Sequence, residues 1–144
     1  MTNPEFPVPA TIAVVIKHRR VLLVRRGAAP NRGYWGFPGG KIQFGETHTD
    51  AACRELLEET DIRGESVGAF AAADVFDTDN TGSTEGAENH YLLVAVRVRY
   101  VAGEPTAADD VDQVAWFDVN DLPGSCLKDV KTILDLARQR SSET

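Results

Sequence analysis

Three glutamates, Glu55, Glu58 and Glu59, stand inside the segment "RELLEETDI" (54–62), and Glu46 precedes them. With Asp50 and Asp61 they put six acidic side chains between Gly39 and Ile62. At about 100° per residue, Glu59 falls about 40° to one side of Glu55 and Glu58 about 60° to the other. All three therefore project from one arc, which a single neighbour, Arg54, neutralises poorly, although it reaches Glu58 at i+4. On charge alone a solvated acidic face is the commoner arrangement. The preceding glycine-rich turn shifts the balance toward a cation site. Its backbone carbonyls can complete the all-oxygen shell that a hard cation such as Mg²⁺ takes. The same wheel assigns Cys53, Leu56 and Leu57 to the core face and leaves the small Ala51 and Ala52 flanking the acidic arc, with room for a ligand.

A helix over Thr47–Thr60 must carry these groups, with Thr47 as N-cap and Asp50 three residues on, a capping-box spacing. Asp61 then occupies the position after the helix, where the backbone commonly turns left-handed and Asp is tolerated in place of glycine. Ahead of it, "ATIAVVI" (10–16) and "VLLVRR" (21–26) read as a hairpin joined by "KHRR", and 27–40 as a loop ending in a short strand. Further strands are expected over 66–76 (one or two), 90–100 and 113–119, with a polar mobile loop over 77–89 that suits a lid or specificity element. From about Leu127 to Arg140, Val130, Ile133, Leu134 and Ala137 follow i, i+3, i+4, i+7 spacing and define a terminal amphipathic helix. Strands with two well-separated helices imply an α/β domain whose sheet core is covered by helices.

The whole chain sets the limits. Its 144 residues suit one domain spanning 1–144, with 42% hydrophobic and 26% charged residues. A net charge of −7 disfavours a nucleic-acid polymer or a membrane surface as partner. It allows a polyanionic small molecule if metal ions supply positive charge. There is no signal pattern and no membrane-spanning apolar run. The two cysteines, Cys53 and Cys126, are too few for a disulfide framework, so a reduced cytoplasmic protein is expected.

Gly40, five residues, Glu46, seven residues and "RELLEETDI" resemble the Nudix box, G-x5-E-x7-REUxEExGU with U aliphatic. Only Asp61 departs, standing where the family has glycine. The lead-in "YWGFPGG" and the later "VAWFDVNDLP" also resemble the family. The resemblance implies the Nudix fold, an α/β/α sandwich with a mixed β-sheet core and flanking helices. It implies a divalent-metal-dependent hydrolase that cleaves the diphosphate linkage of a nucleoside diphosphate linked to another moiety, with Mg²⁺, or Mn²⁺ in its place. By position, Glu58 and Glu59 resemble the principal metal ligands, Glu55 a further ligand or the general base, and the Gly39 carbonyl a backbone ligand. Arg54 and Glu46 resemble residues that orient the carboxylates and hold the loop, with Arg54 also a candidate for a direct catalytic role.

Outside the box the candidates are Arg25 or Arg26 on phosphate, only one of which strand alternation lets face the site, and Tyr34 stacking on a base. Trp35 is as readily a core anchor, and His90 a lesser substrate candidate. Asp109, Asp110 and Asp112 could supply a later-loop carboxylate, although a solvated acidic turn is the commoner outcome. Cys53 reads as packing. The segment 89–117 is similar to that of bacterial ADP-ribose pyrophosphatase-like members. A nucleoside triphosphate pyrophosphohydrolase, a sugar-nucleotide hydrolase and a non-catalytic ligand-binding module of the same fold are the alternatives. The implied partners are a nucleotide and, in a homodimer, a second copy of the chain.

Overall fold

The runs "ATIAVVI" (10–16) and "VLLV" (21–24) are almost wholly apolar because each is covered on both faces. The computed structural model describes residues 6–28, 31–76 and 89–142. Among these, the elements run β1 (Val8–Val14), β2 (Ile16–Lys17), β3 (Arg20–Arg26), β4 (Trp35–Gly36), β5 (Gly39–Lys41), α1 (His48–Thr60), β6 (Arg63–Phe76), β7 (His90–Ala102), β8 (Val111–Asp118) and α2 (Asp129–Ser142). One mixed sheet has the order β5-β1-β7-β6, with β1 and β7 parallel and the other pairs antiparallel. A second sheet is built on β3, which pairs with β2, β4 and β8.

Alternate residues along the first strand go to opposite layers. Ala13 and Val15 join Ala52 and Leu56 of α1, while Ile12 and Val14 join Ile133 and Ala137 of α2. Helix α1 thus covers one face of the mixed sheet and α2 the other, the expected α/β/α sandwich. All four apolar positions of the terminal stripe, Val130, Ile133, Leu134 and Ala137, are buried. No described helix is long and apolar enough to cross a membrane.

The expected hairpin over 10–26 forms only at its tip. His18 and Arg19 make the turn with φ of 51° and 66°, as a tight primed turn requires. Only Ile16 and Lys17 pair with β3. Five residues of the first run, Ala10 to Val14, pair instead with β7, 83 positions along the chain, so the run is divided between the two sheets at Val15. Residues 66–76 are part of one strand that begins at Arg63, with register shifts at Ser66/Gly68 and Ala69/Ala71. The expected loop over 77–89 lies, except for residue 89, outside the described residues.

Candidate active site

Of the acidic arc of α1, Glu59 and most of Glu55 face inward, while Glu58 is exposed. Ala51, Ala52, Leu56 and Thr60 are buried, and so is Glu59, at 6% exposure. Leu57, expected in the core, is 36% exposed, and Cys53 is half-buried. The cause is steric: the alanine side lets the helix lie close to β1 and β5, and this docking carries Glu59 and most of Glu55 inside. The helix itself ends where local chemistry dictates. Thr47 Oγ1 accepts the Asp50 amide at 3.1 Å, and Asp61 sits left-handed at φ 60°, its N–H donating to the Leu57 carbonyl.

The glycine pair provides the space opposite. The Gly39 amide donates to Glu59 Oε1 at 3.2 Å. A Cβ at 39 would collide with the Thr11 carbonyl oxygen across the β1–β5 pairing. A Cβ at 40 would lie 2.6 to 2.7 Å from the carboxyl atoms of Glu55. Both positions are glycine because backbone and carboxylates approach closely there.

Arg54 ties the parts together. Its Nε and Nη2 donate to the two oxygens of Glu46 at 2.6 and 2.9 Å, a bidentate pair. Nη1 donates to Glu55 Oε1 at 2.8 Å and to Glu58 Oε1 at 3.0 Å, and Nη2 also reaches the Lys41 carbonyl. Glu46 accepts the Gln43 amide as well, which fixes the loop to the helix. The guanidinium holds Glu46 below the usual carboxylate range, and the glutamates raise Arg54 further above its own.

Burial dominates the electrostatics of the inner carboxyls. It pushes Glu59 up to about 8 against the Gly39 hydrogen bond, and the charges of Glu55, Asp110 and Asp109 push the same way. Burial also raises Glu55, opposed by Arg54. Among the described residues no three His, Cys, Asp or Glu side chains are already gathered as a metal cage. The donor chemistry nevertheless suits a hard divalent cation. The Glu55 and Glu59 carboxyls lie where burial raises both, and added positive charge would favour their ionised forms.

A cleft of about 540 Å³ opens beside Glu59, Gly39 and Gly40. Arg26, Lys41 and Lys128 line it as cations, Asp74, Asp110 and Asp129 join Glu59 as acids, and Phe37 and Phe76 form apolar wall. Of the two candidate arginines, Arg26 lines the cleft, whereas Arg25 is bound to Asp112 at 2.8 and 3.1 Å. Tyr34 is not among the lining residues and is 37% exposed. Trp35 is a core anchor, edge-on to Phe117. His90 stacks on Phe76 and pairs with Asp74 at 2.8 Å, so it meets the cleft only through its neighbours. Asp110 was one of three equivalent acids in the sequence, and the fold selects it for the cleft. Lys41 and Lys128 carried no local signal, since their relation to Glu59 arises only when β5 and the start of α2 converge.

A family model described as NUDIX domain matches residues 6–136. The ADP-ribose pyrophosphatase of Methanocaldococcus jannaschii is 28% identical over 135 residues, 94% of this chain and 76% of that protein. The oxidized purine nucleoside triphosphate hydrolase of Danio rerio is 34% identical over 115 residues, 80% of this chain and 69% of that protein. Among solved structures, a MutT NUDIX hydrolase from Burkholderia pseudomallei superposes with a TM-score of 0.78 at 28% identity, covering 91% of this chain and 98% of that one.

Proposed function

The chain belongs to the NUDIX family and is a hydrolase of phosphoric anhydride bonds, and we propose that it cleaves the diphosphate linkage of a nucleoside diphosphate joined to another moiety, ADP-ribose being the favoured substrate. The observation that carries the reading is the buried Glu59 and the half-buried Glu55, packed against two glycines beside a cleft that Arg26, Lys41 and Lys128 line together with acids. A purely structural helix would not bury these carboxylates. Mg²⁺, or Mn²⁺ in its place, would be held by Glu58, Glu59, Glu55 and the Gly39 carbonyl, and would supply the charge that neutralises phosphate oxygens. Arg26, Lys41 and Lys128 bind and orient the phosphates. Glu55, whose burial strengthens its hold on a proton, accepts one from the attacking water. Arg54 and Glu46 keep Glu55 and Glu58 in place. Residues 1–144 act as one domain in this reading, and the low cysteine content favours a reducing cytoplasmic setting.

The likeness to the Danio rerio enzyme supports a second reading, an oxidised purine nucleoside triphosphate as substrate. One panel separates the two. The purified chain is incubated with Mg²⁺ and ADP-ribose, a sugar nucleotide, or normal and oxidised triphosphates, and products are resolved by chromatography. AMP with a sugar phosphate, abolished by chelator, is the expected result. A monophosphate with pyrophosphate from a triphosphate alone would favour the second reading. No product from any nucleotide with Mg²⁺ or Mn²⁺ would leave a ligand-binding module.

A further inference from the structure

The ladder between β3 and β8 is regular from Arg20 to Arg25 and then slips. Arg25 stands opposite Gln113 and Arg26 opposite Val111, which leaves Asp112 as the extra, unpaired residue of a bulge. A bulge disrupts the ladder and re-aims neighbouring side chains. Here Arg26 is directed to the cleft, and Arg25 takes both oxygens of the bulged residue, Nε to Oδ1 at 2.8 Å and Nη2 to Oδ2 at 3.1 Å.

Beyond the bulge the chain is fastened again. The Gly27 amide donates to the Asp110 carbonyl at 2.9 Å, an approach so close that a Cβ at 27 would sit 2.9 Å from that oxygen. Residues 106–110 then pass over the end of α1. The amides of Thr106 and Ala108 donate to the carbonyls of Thr60 and Glu59 at 2.9 and 3.1 Å. One turn therefore links the Glu59 backbone, the Asp110 side chain in the cleft and the end of β3. Where the ladder is broken, Arg25–Asp112 makes a side-chain link across it.

We infer that Arg25 is a positioning residue, acting through Asp112 to hold the turn 106–110 against the end of α1 and so to set Asp110 and Arg26 relative to Glu59. The pair is half-exposed, at 34% and 44%, so its contribution to global stability is small. Its contribution is to geometry, to which reaction rates respond steeply. The kinetic part of this inference rests on the proposed hydrolytic function.

The test compares Arg25→Ala, Asp112→Ala and the double variant, with Arg25→Lys and Asp112→Asn as milder versions should an alanine variant fold poorly. Each single change should lower kcat/KM about tenfold with the same split between kcat and KM in both variants, and the double should be no worse than either single. Amide exchange at Gly27 and Ala108, followed by NMR, should quicken about tenfold in each variant, while melting moves by no more than a few degrees. A raised KM in Arg25→Ala alone would make Arg25 a substrate contact and overturn the inference. Additive losses, or unchanged exchange at both amides, would also overturn it. If the parent hydrolyses no nucleotide, the functional reading fails, and the exchange rates still decide whether the pair fastens the turn.

Discussion

Helices α1 and α2 are of similar length, 13 and 14 residues, and lie on opposite faces of the same sheet, yet they bury different chemistry. α2 follows the amphipathic rule, with Val130, Ile133, Leu134 and Ala137 inside. α1 turns Ala51, Ala52 and Leu56 inward together with Glu59 and most of Glu55, and leaves Leu57 outside. A helix that exposes leucine while burying carboxylate forgoes part of its hydrophobic stabilisation. The contrast separates a helix that holds the fold from one that holds a site.

The sharpest way to test that separation is to neutralise the acidic arc. Glu58→Gln and Glu59→Gln should each cut turnover on the order of 10²-fold or more while the circular dichroism spectrum is kept. Undiminished turnover at saturating substrate and metal would remove that glutamate from the chemistry. The reverse cut falls on α2, where Leu134→Ala should destabilise by about 2–5 kcal/mol in denaturant titration yet leave the specific activity of the folded fraction near the parent's. A loss of turnover equal to that of the glutamine variants would erase the distinction between the helices.

A subtler difference is acid–base. The folded chain raises Glu59 to about 8, well above the roughly 4.3 of an unfolded glutamate. A carboxyl raised on folding contributes stability that is fully present below about 4.3 and lost as pH rises through about 8. The metal-free protein should therefore melt at lower temperature as pH climbs through this window, and Glu59→Gln should flatten that slope. Identical slopes in both proteins would place the charge cost elsewhere. The smallest effect belongs to the end of α1. Asp61→Gly relieves a left-handed conformation and removes a negative charge beside the helix C-terminus, and should stabilise by about 0.5–1.5 kcal/mol with activity unchanged. A large loss of activity would instead make Asp61 part of the site.

What could be read in advance follows from the range of the forces involved. The Thr47 cap, the Asp61 turn and the α2 stripe depend on residues within about one or two turns, and all three stand as the spacing implied. The Arg54–Glu58 link at i+4 is of the same kind. The inward side of α1 departs from the spacing because Leu57 outweighs two alanines in any hydrophobicity count, whereas close docking favours the alanines. Arg25 and Arg26 could not be told apart from sequence, since the bulge that separates them comes from a partner strand 87 residues on. The same holds for Lys128, which reaches the cleft only through the packing of α2.

Position 40 has a consequence for how this protein can vary. A methyl group there would rest 2.6 Å from the carboxyl carbon of Glu55, inside any tolerable contact. The Glu55 carboxyl, the far end of a side chain, would have to swing from its present place, so the site would be rearranged from within while every acidic residue stayed in the sequence. A search for inactive descendants of such a chain that inspects only the glutamates would miss this one. The fitness of the site is written as much in an absent side chain as in the four acids around it.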